Sequence, residues 1–211
     1  GYTEKYGMEY RRAYRDEWPD PELVRRHERE VFPLMRRRDL FSGAENFALY
    51  DFIAPEGHVD ENVFAYSNVL GRRRGLVFYN NSYETRKGRI HSAGPVNLGG
   101  ENDANLVSRT LTEALGLDDS PGVYYVFREH RTGLEHLRSG EAISRDGFEV
   151  ELYGYNYLVF LDFQEHRDHG GSWARLAGRI GNSGVPSIEE ARRAMELEKI
   201  TVPFKRALLQ A

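Results

Sequence analysis

The sequence predicts an α+β fold, an antiparallel β-sandwich flanked by N- and C-terminal helices. Three observations predict it. Between about residues 51 and 165 the chain holds short runs rich in Val, Phe and Tyr, broken by turn residues. One of these runs alternates Phe148, Val150 and Leu152 with Glu149, Glu151 and Tyr153, the period of two that marks a strand with one wet face. On either side lie segments with helical spacing and capping residues at their starts. The chain has 211 residues, enough for one large domain with helical appendages and a sizeable core. The expected boundaries are 1–50 for an N-terminal helical segment, 51–165 for the sandwich with a helical insertion near 103–115, and 166–211 for a C-terminal helical extension.

Asp20-Pro21-Glu22 opens the first helix: Asp caps free N–H groups, Pro loses nothing at the first helical position, and Glu favours the positive helix end. That helix is expected from Pro21 to about Leu40, with Leu23, His27, Val31, Leu34 and Met35 on one side and a bend at Pro33. Asn62 to Asn68 and Gly75 to Asn80 read as a β-hairpin around Gly71-Arg72-Arg73-Arg74-Gly75, and Arg89 to Ala93 as a third strand. A helix is expected from about Asp103 to Leu115, stopped by Gly116. A second hairpin, Val123 to Arg131 and Leu134 to Leu137, turns at Thr132-Gly133. Glu141 to Arg145 reads as a helical turn and Tyr157 to Phe163 as a buried last strand. The tail returns to helix at Ser172 to Ile180 and again after the capping-box spacing Ser187 to Glu190, as far as Leu197, with Pro203 starting a short closing segment.

Composition excludes several chemistries. With no cysteine, there is no disulfide framework, Cys-ligated zinc, iron–sulfur cluster or thiol nucleophile. A net charge of -4 gives no broad footprint for nucleic acid or an anionic membrane, so neither is an expected partner. The Arg36-Arg37-Arg38 run lies within 50 residues that hold ten basic and ten acidic side chains, so it reads as a surface helix face. No apolar run approaches the ~18 residues of a membrane helix and no signal-like stretch follows the start, so a soluble, cytoplasmic protein is expected. Residue 1 is Gly and the opening is polar and aromatic, which reads as a piece of something longer.

The candidate chemistry is sparse. His166 and His169, with Asp162 and Glu165 nearby, have metal-like spacing, but a metal site needs three or four converging ligands, and a solvated loop is the favoured reading. Asp51, Glu56, Asp60 and Glu61 are candidate paired carboxylates, yet Pro55-Glu56-Gly57 has the composition of an exposed turn. No nucleophile elbow, Walker-type loop or dinucleotide fingerprint is present. Neither a catalytic residue, a metal ligand nor a cofactor is therefore assigned. Tyr2, Tyr6, Tyr10, Tyr14 and Trp18 recur about every four residues, an aromatic stripe if helical, suited equally to docking and to ligand contact.

Glu9-Tyr10-Arg11-Arg12-Ala13-Tyr14, His27-Glu28-Arg29-Glu30-Val31-Phe32-Pro33-Leu34 and Leu40-Phe41-Ser42-Gly43-Ala44-Glu45-Asn46-Phe47 resemble the carboxy-terminal part of α-amylase-superfamily glycosidases, glycoside hydrolase family thirteen. Asn62-Val63-Phe64-Ala65-Tyr66-Ser67-Asn68 and Gly75-Leu76-Val77-Phe78-Tyr79-Asn80-Asn81 resemble the opening hairpin of that family's domain C, and Tyr155-Asn156-Tyr157-Leu158-Val159-Phe160-Leu161 is similar to its closing strand. The resemblance implies a sandwich that packs against a catalytic (β/α)8 barrel. A barrel needs roughly 250 residues, so it lies outside this chain.

The family's catalytic carboxylates sit on barrel strands, and none is carried over here. An active parent would be a retaining enzyme with two carboxylates about 5–5.5 Å apart. The chain is then expected to be a non-catalytic scaffold for that barrel, acting on α-glucan or maltooligosaccharide through its parent. Tyr2, Tyr6 and Tyr10 are the expected substrate contacts, because the family places this segment after an active-face loop. The alternatives are a self-standing carbohydrate-binding sandwich and a protein-interaction module.

Overall fold

The structure is a computed structural model and describes residues 18–97 and 106–209. The chain divides between Asp39 and Leu40 into two compact units. In the first, α1 (Pro21–Glu30) starts at the predicted cap: the Asp20 carboxylate accepts from the N–H groups of Glu22 at 2.8 Å and Leu23 at 3.3 Å. The single helix expected to Leu40 is instead broken into three pieces. α1 closes at Val31, α2 (Phe32–Met35) follows, and α3 (Arg38–Phe41) begins after a turn at Arg36 and Arg37. Pro33 accounts for the first break, since it has no N–H to donate to the preceding turn and its ring crowds the carbonyl there.

The division falls within α3, and the strands of the second unit begin with β1 (Phe47–Tyr50), β2 (Val63–Leu70), β3 (Arg73–Asn80) and β4 (Arg86–Ile90). β5 (Val96–Asn97) and β6 (Leu106–Val107) come next, then α4 (Leu111–Leu115), β7 (Val123–Glu129) and β8 (Glu135–Ser139). α5 (Gly140–Asp146), β9 (Phe148–Leu152), β10 (Tyr157–Arg167), α6 (Ser172–Ile180) and α7 (Ile188–Leu209) complete it. The strands form a six-stranded sheet in the order β1-β2-β3-β10-β7-β8, a second sheet β4-β9 and a small pair β5-β6, every pairing antiparallel. This is the predicted α+β, sandwich-like fold.

Between the two larger sheets lies an aromatic core. Phe78, Phe127, Phe148 and Phe160 meet there, with Phe78 and Phe160 edge-to-face at 6.2 Å and Phe148 and Phe160 at 5.0 Å. Ile90, Val150 and Leu152 of the small sheet complete that layer. Gly88 on β4 has a steric reason: a Cβ there would come 2.4 Å from the Ile53 carbonyl oxygen. Tyr50 is buried in the same core with its hydroxyl 2.6 Å from Ser67 Oγ, and burial pushes its pKa up to about 12.

Several expectations change. β1 has no predicted counterpart, and the strand expected at Arg89 to Ala93 is β4, which pairs with β9 rather than with the first hairpin. The hairpin tip is shorter than expected, because Arg73, Arg74 and Gly75 already pair within the β2–β3 ladder. The helix expected from Asp103 begins at Leu111, since Thr110 and Glu113 form a reciprocal capping box that fixes the start; residues 103–105 lie outside the described residues. Leu106 and Val107 form β6 instead. α7 runs past Leu197 and through Pro203 to Leu209, so no separate segment starts at Pro203.

Candidate functional site

Tyr2, Tyr6 and Tyr10, the expected substrate contacts, lie outside the described residues, as does Tyr14. Of the other candidates, His166, Glu165 and Asp60 have structural partners, Glu165 pairing with Arg167 at 3.1 Å. His166 stacks on Trp173 at 4.3 Å, and burial followed by the nearby Arg192 cation lowers its pKa. Asp168 anchors the start of α6 by accepting from the N–H groups of Ser172 at 3.1 Å and Ala174 at 2.9 Å. Burial works to raise its pKa, but the backbone donors outweigh it and hold the carboxyl below the usual range. Asp60 is buried, accepts from Asn62 N–H and its side-chain amide, and lies 3.5 Å from Arg86. No group of three or more His, Asp or Glu placed to hold a metal occurs among the described residues, and none of their helices is long and apolar enough to cross a membrane.

The outer face of the six-stranded sheet divides into two unlike halves. At the β7–β8 end, Val126 and Leu137 pack under Leu176 of α6 and Ile188 and Met195 of α7. Leu137, Leu176 and Ile188 keep at most 2% of their surface exposed. At the β1–β3 end the same face is apolar but open: Phe47 keeps 40%, Leu49 53%, Phe64 47% and Tyr79 36%. The ladder places these side chains together. Phe64 is directly opposite Tyr79 with rings stacked at 6.4 Å, and Leu49 is opposite Tyr66, whose ring is 5.8 Å from Phe47. Several neighbouring aromatic and aliphatic side chains on one open face are the signature of a contact surface, whereas single exposed apolar residues are ordinary.

At the far end of the same hairpin, a buried amide gathers two loops. Asn80 donates to the carbonyl oxygens of Glu84 at 2.7 Å, Leu152 at 3.2 Å and Tyr153 at 3.1 Å, while its own oxygen accepts from Ser82 N–H at 3.0 Å. Tyr155 N–H donates to the Ser82 carbonyl at 2.8 Å. The result is a rim carrying Tyr83, Tyr153 and Tyr155, all strongly exposed.

The third feature is the open margin of the sandwich, where edge strand β8 faces β9. A cleft of about 600 Å³ there is lined by Arg138, Arg89, Ser139, Asp146, Glu149 and Asn182, among others. An adjoining hollow of about 520 Å³ shares Arg138, Glu149 and Asn182 and adds His136. The Arg138 guanidinium lies over the Phe148 ring at 4.3 Å, and burial lowers its pKa. His136 is stacked on Phe127 at 5.6 Å; burial and then the Arg138 charge depress its pKa. Residue-level reading missed this margin, although His136 and Arg138 flank Leu137 at strand spacing, which places both on the face opposite that leucine.

Neither a protein-family model nor a curated protein matches the chain.

Proposed function

We propose that this chain is a non-catalytic sandwich portion of an α-glucan-acting glycosidase or transglycosidase, and that it scaffolds the enzyme's (β/α)8 barrel. The observation that carries this reading is the open apolar half of the sheet, formed by Phe47, Leu49, Phe64 and Tyr79. A sheet face of this composition gains from being covered, at roughly 25 cal/mol per Å² of apolar surface removed from water. The resemblance of the β2–β3 hairpin and of β10 to the strands of domain C supplies the identity of the covering surface. In this reading the barrel carries the retaining chemistry with its own two carboxylates, and the sandwich contributes packing.

The coding sequence upstream of Gly1 tests the reading. A barrel with acidic motifs at its strand ends is expected there, and a start codon immediately upstream of Gly1 overturns it. The chain alone is expected to leave starch and maltooligosaccharides unhydrolysed. Turnover that disappears with one carboxylate substitution within these 211 residues contradicts the scaffold role.

The tyrosine rim favours a second reading, a carbohydrate-binding sandwich in which Tyr83, Tyr153 and Tyr155 offer aromatic faces to sugar rings. Calorimetric titration with maltooligosaccharides separates the two. A saturable signal lost in Tyr83→Ala and Tyr155→Ala supports sugar binding, and silence supports the scaffold alone.

A further inference from the structure

We propose that the cleft at the β8–β9 margin binds an oxyanion, and that Arg138 holds the carboxylate or phosphate group of a small solute there. This site is independent of the scaffold reading and lies away from the open β1–β3 face.

The Arg138 guanidinium has donors that the described residues leave unused. Arg carries five N–H donors in a planar fork. Arg138 uses one of them in a long 3.5 Å hydrogen bond from Nη2 to the Glu149 carbonyl oxygen. Its Nε is buried and has no hydrogen-bond acceptor among the described residues. One face of the fork is occupied by Phe148, so the remaining donors are restricted to directions along its plane. A buried donor without an acceptor is costly, and a planar fork with free N–H groups matches the two oxygens of a carboxylate or phosphate.

The neighbouring carboxylates act on Arg138 through charge but accept no hydrogen bond from its Nε. Asp146 is engaged by Arg145, with contacts of 2.8 Å from Nε and 2.6 Å from Nη2. The Glu149 carboxylate lies 3.4 Å from Lys87 and, like Asp146, acts on Arg138 through its charge, while the hydrogen bond from the fork goes to the Glu149 backbone oxygen. Both carboxylates on the cleft wall are thus shared with other cations, Lys87 and Arg145, and Arg89, also in the lining, faces Asp146. Ser139 Oγ accepts from Ala142 N–H at 3.1 Å, which leaves its hydroxyl proton to donate to an oxyanion. The cleft volume of about 600 Å³ lies within the range of sites that take small molecules.

The test follows the Arg138 Nε–H resonance of the ¹⁵N-labelled chain by NMR. Sodium phosphate, sodium acetate and sodium chloride are titrated separately at matched ionic strength. A saturable shift with phosphate or acetate but not chloride is expected, and the anion that produces it distinguishes a phosphorylated solute from a carboxylated one. In Arg138→Lys, which keeps the charge but lacks Nε–H and the planar fork, backbone amides of Ser139 and Asn182 should report binding weaker by roughly tenfold. If that variant fails to fold, the wild-type titration decides alone. Absence of a saturable shift with either anion, or the same shift with chloride, overturns the proposal.

Discussion

The two ends of the six-stranded sheet use the same alternation for opposite outcomes. At the β7–β8 end, outward Val126 and Leu137 are sealed by α6 and α7 of the same chain. At the β1–β3 end, outward Phe47, Leu49, Phe64 and Tyr79 face solvent although they are equally apolar. Period-two patterning therefore states which residues share a face, while the identity of the cover depends on where later segments of chain return. The sealed end contributes stability, and the open end leaves apolar surface exposed.

Mutations at the sealed end should have the largest effect on stability. Leu176→Ala removes a fully buried side chain from the cluster under α6 and α7, and urea unfolding should show a loss of about 2–5 kcal/mol. Loss of less than about 1 kcal/mol would mean that the helices contribute little to the seal. Asp168→Ala removes the carboxylate that holds the first N–H groups of α6, so a smaller loss of about 0.5–2 kcal/mol is expected in the same assay.

The sealed end should also respond to acid. His166, stacked on Trp173, faces Arg192 and Glu189 of α7, and its pKa is depressed from 6.5, first by burial. A depressed folded pKa means that the unfolded chain binds the proton more readily. The stability linked to this group is present above pH 6.5 and is lost as pH falls through the lower folded value. His166→Phe keeps an aromatic partner for Trp173 and should flatten the stability profile below pH 6.5; His136, also depressed, retains part of the slope. An unchanged profile would remove His166 from the account. The smallest effect is expected at the open end, where Phe64→Ser should shift the unfolding free energy of the isolated chain by no more than about 1 kcal/mol.

The sequence carried some of this architecture locally. Asp20 marks the start of α1, Gly116 the stop of α4, and the alternation at Phe148 to Leu152 predicts the buried and exposed positions of β9. Four residues of Phe-Ala-Leu-Tyr were too short a period to distinguish β1 from the helix before it. The expected start of α4 was early because apolar spacing from Leu106 overlapped a capping box that begins only at Thr110. The three features of the candidate site depend on long-range pairing. Asn80 joins Glu84 to Tyr153, β8 meets β9 only across the sandwich, and the open sheet face is defined by what α6 and α7 do not cover.

The central claim is that the open end of the sheet receives a barrel. Its most direct measurement is calorimetric binding of the chain to the catalytic barrel proposed as its partner, comparing wild type with Phe64→Ser/Tyr79→Ser. The wild type should bind, and the double variant, still folded, should bind at least about tenfold more weakly. Equal binding by both proteins would contradict it.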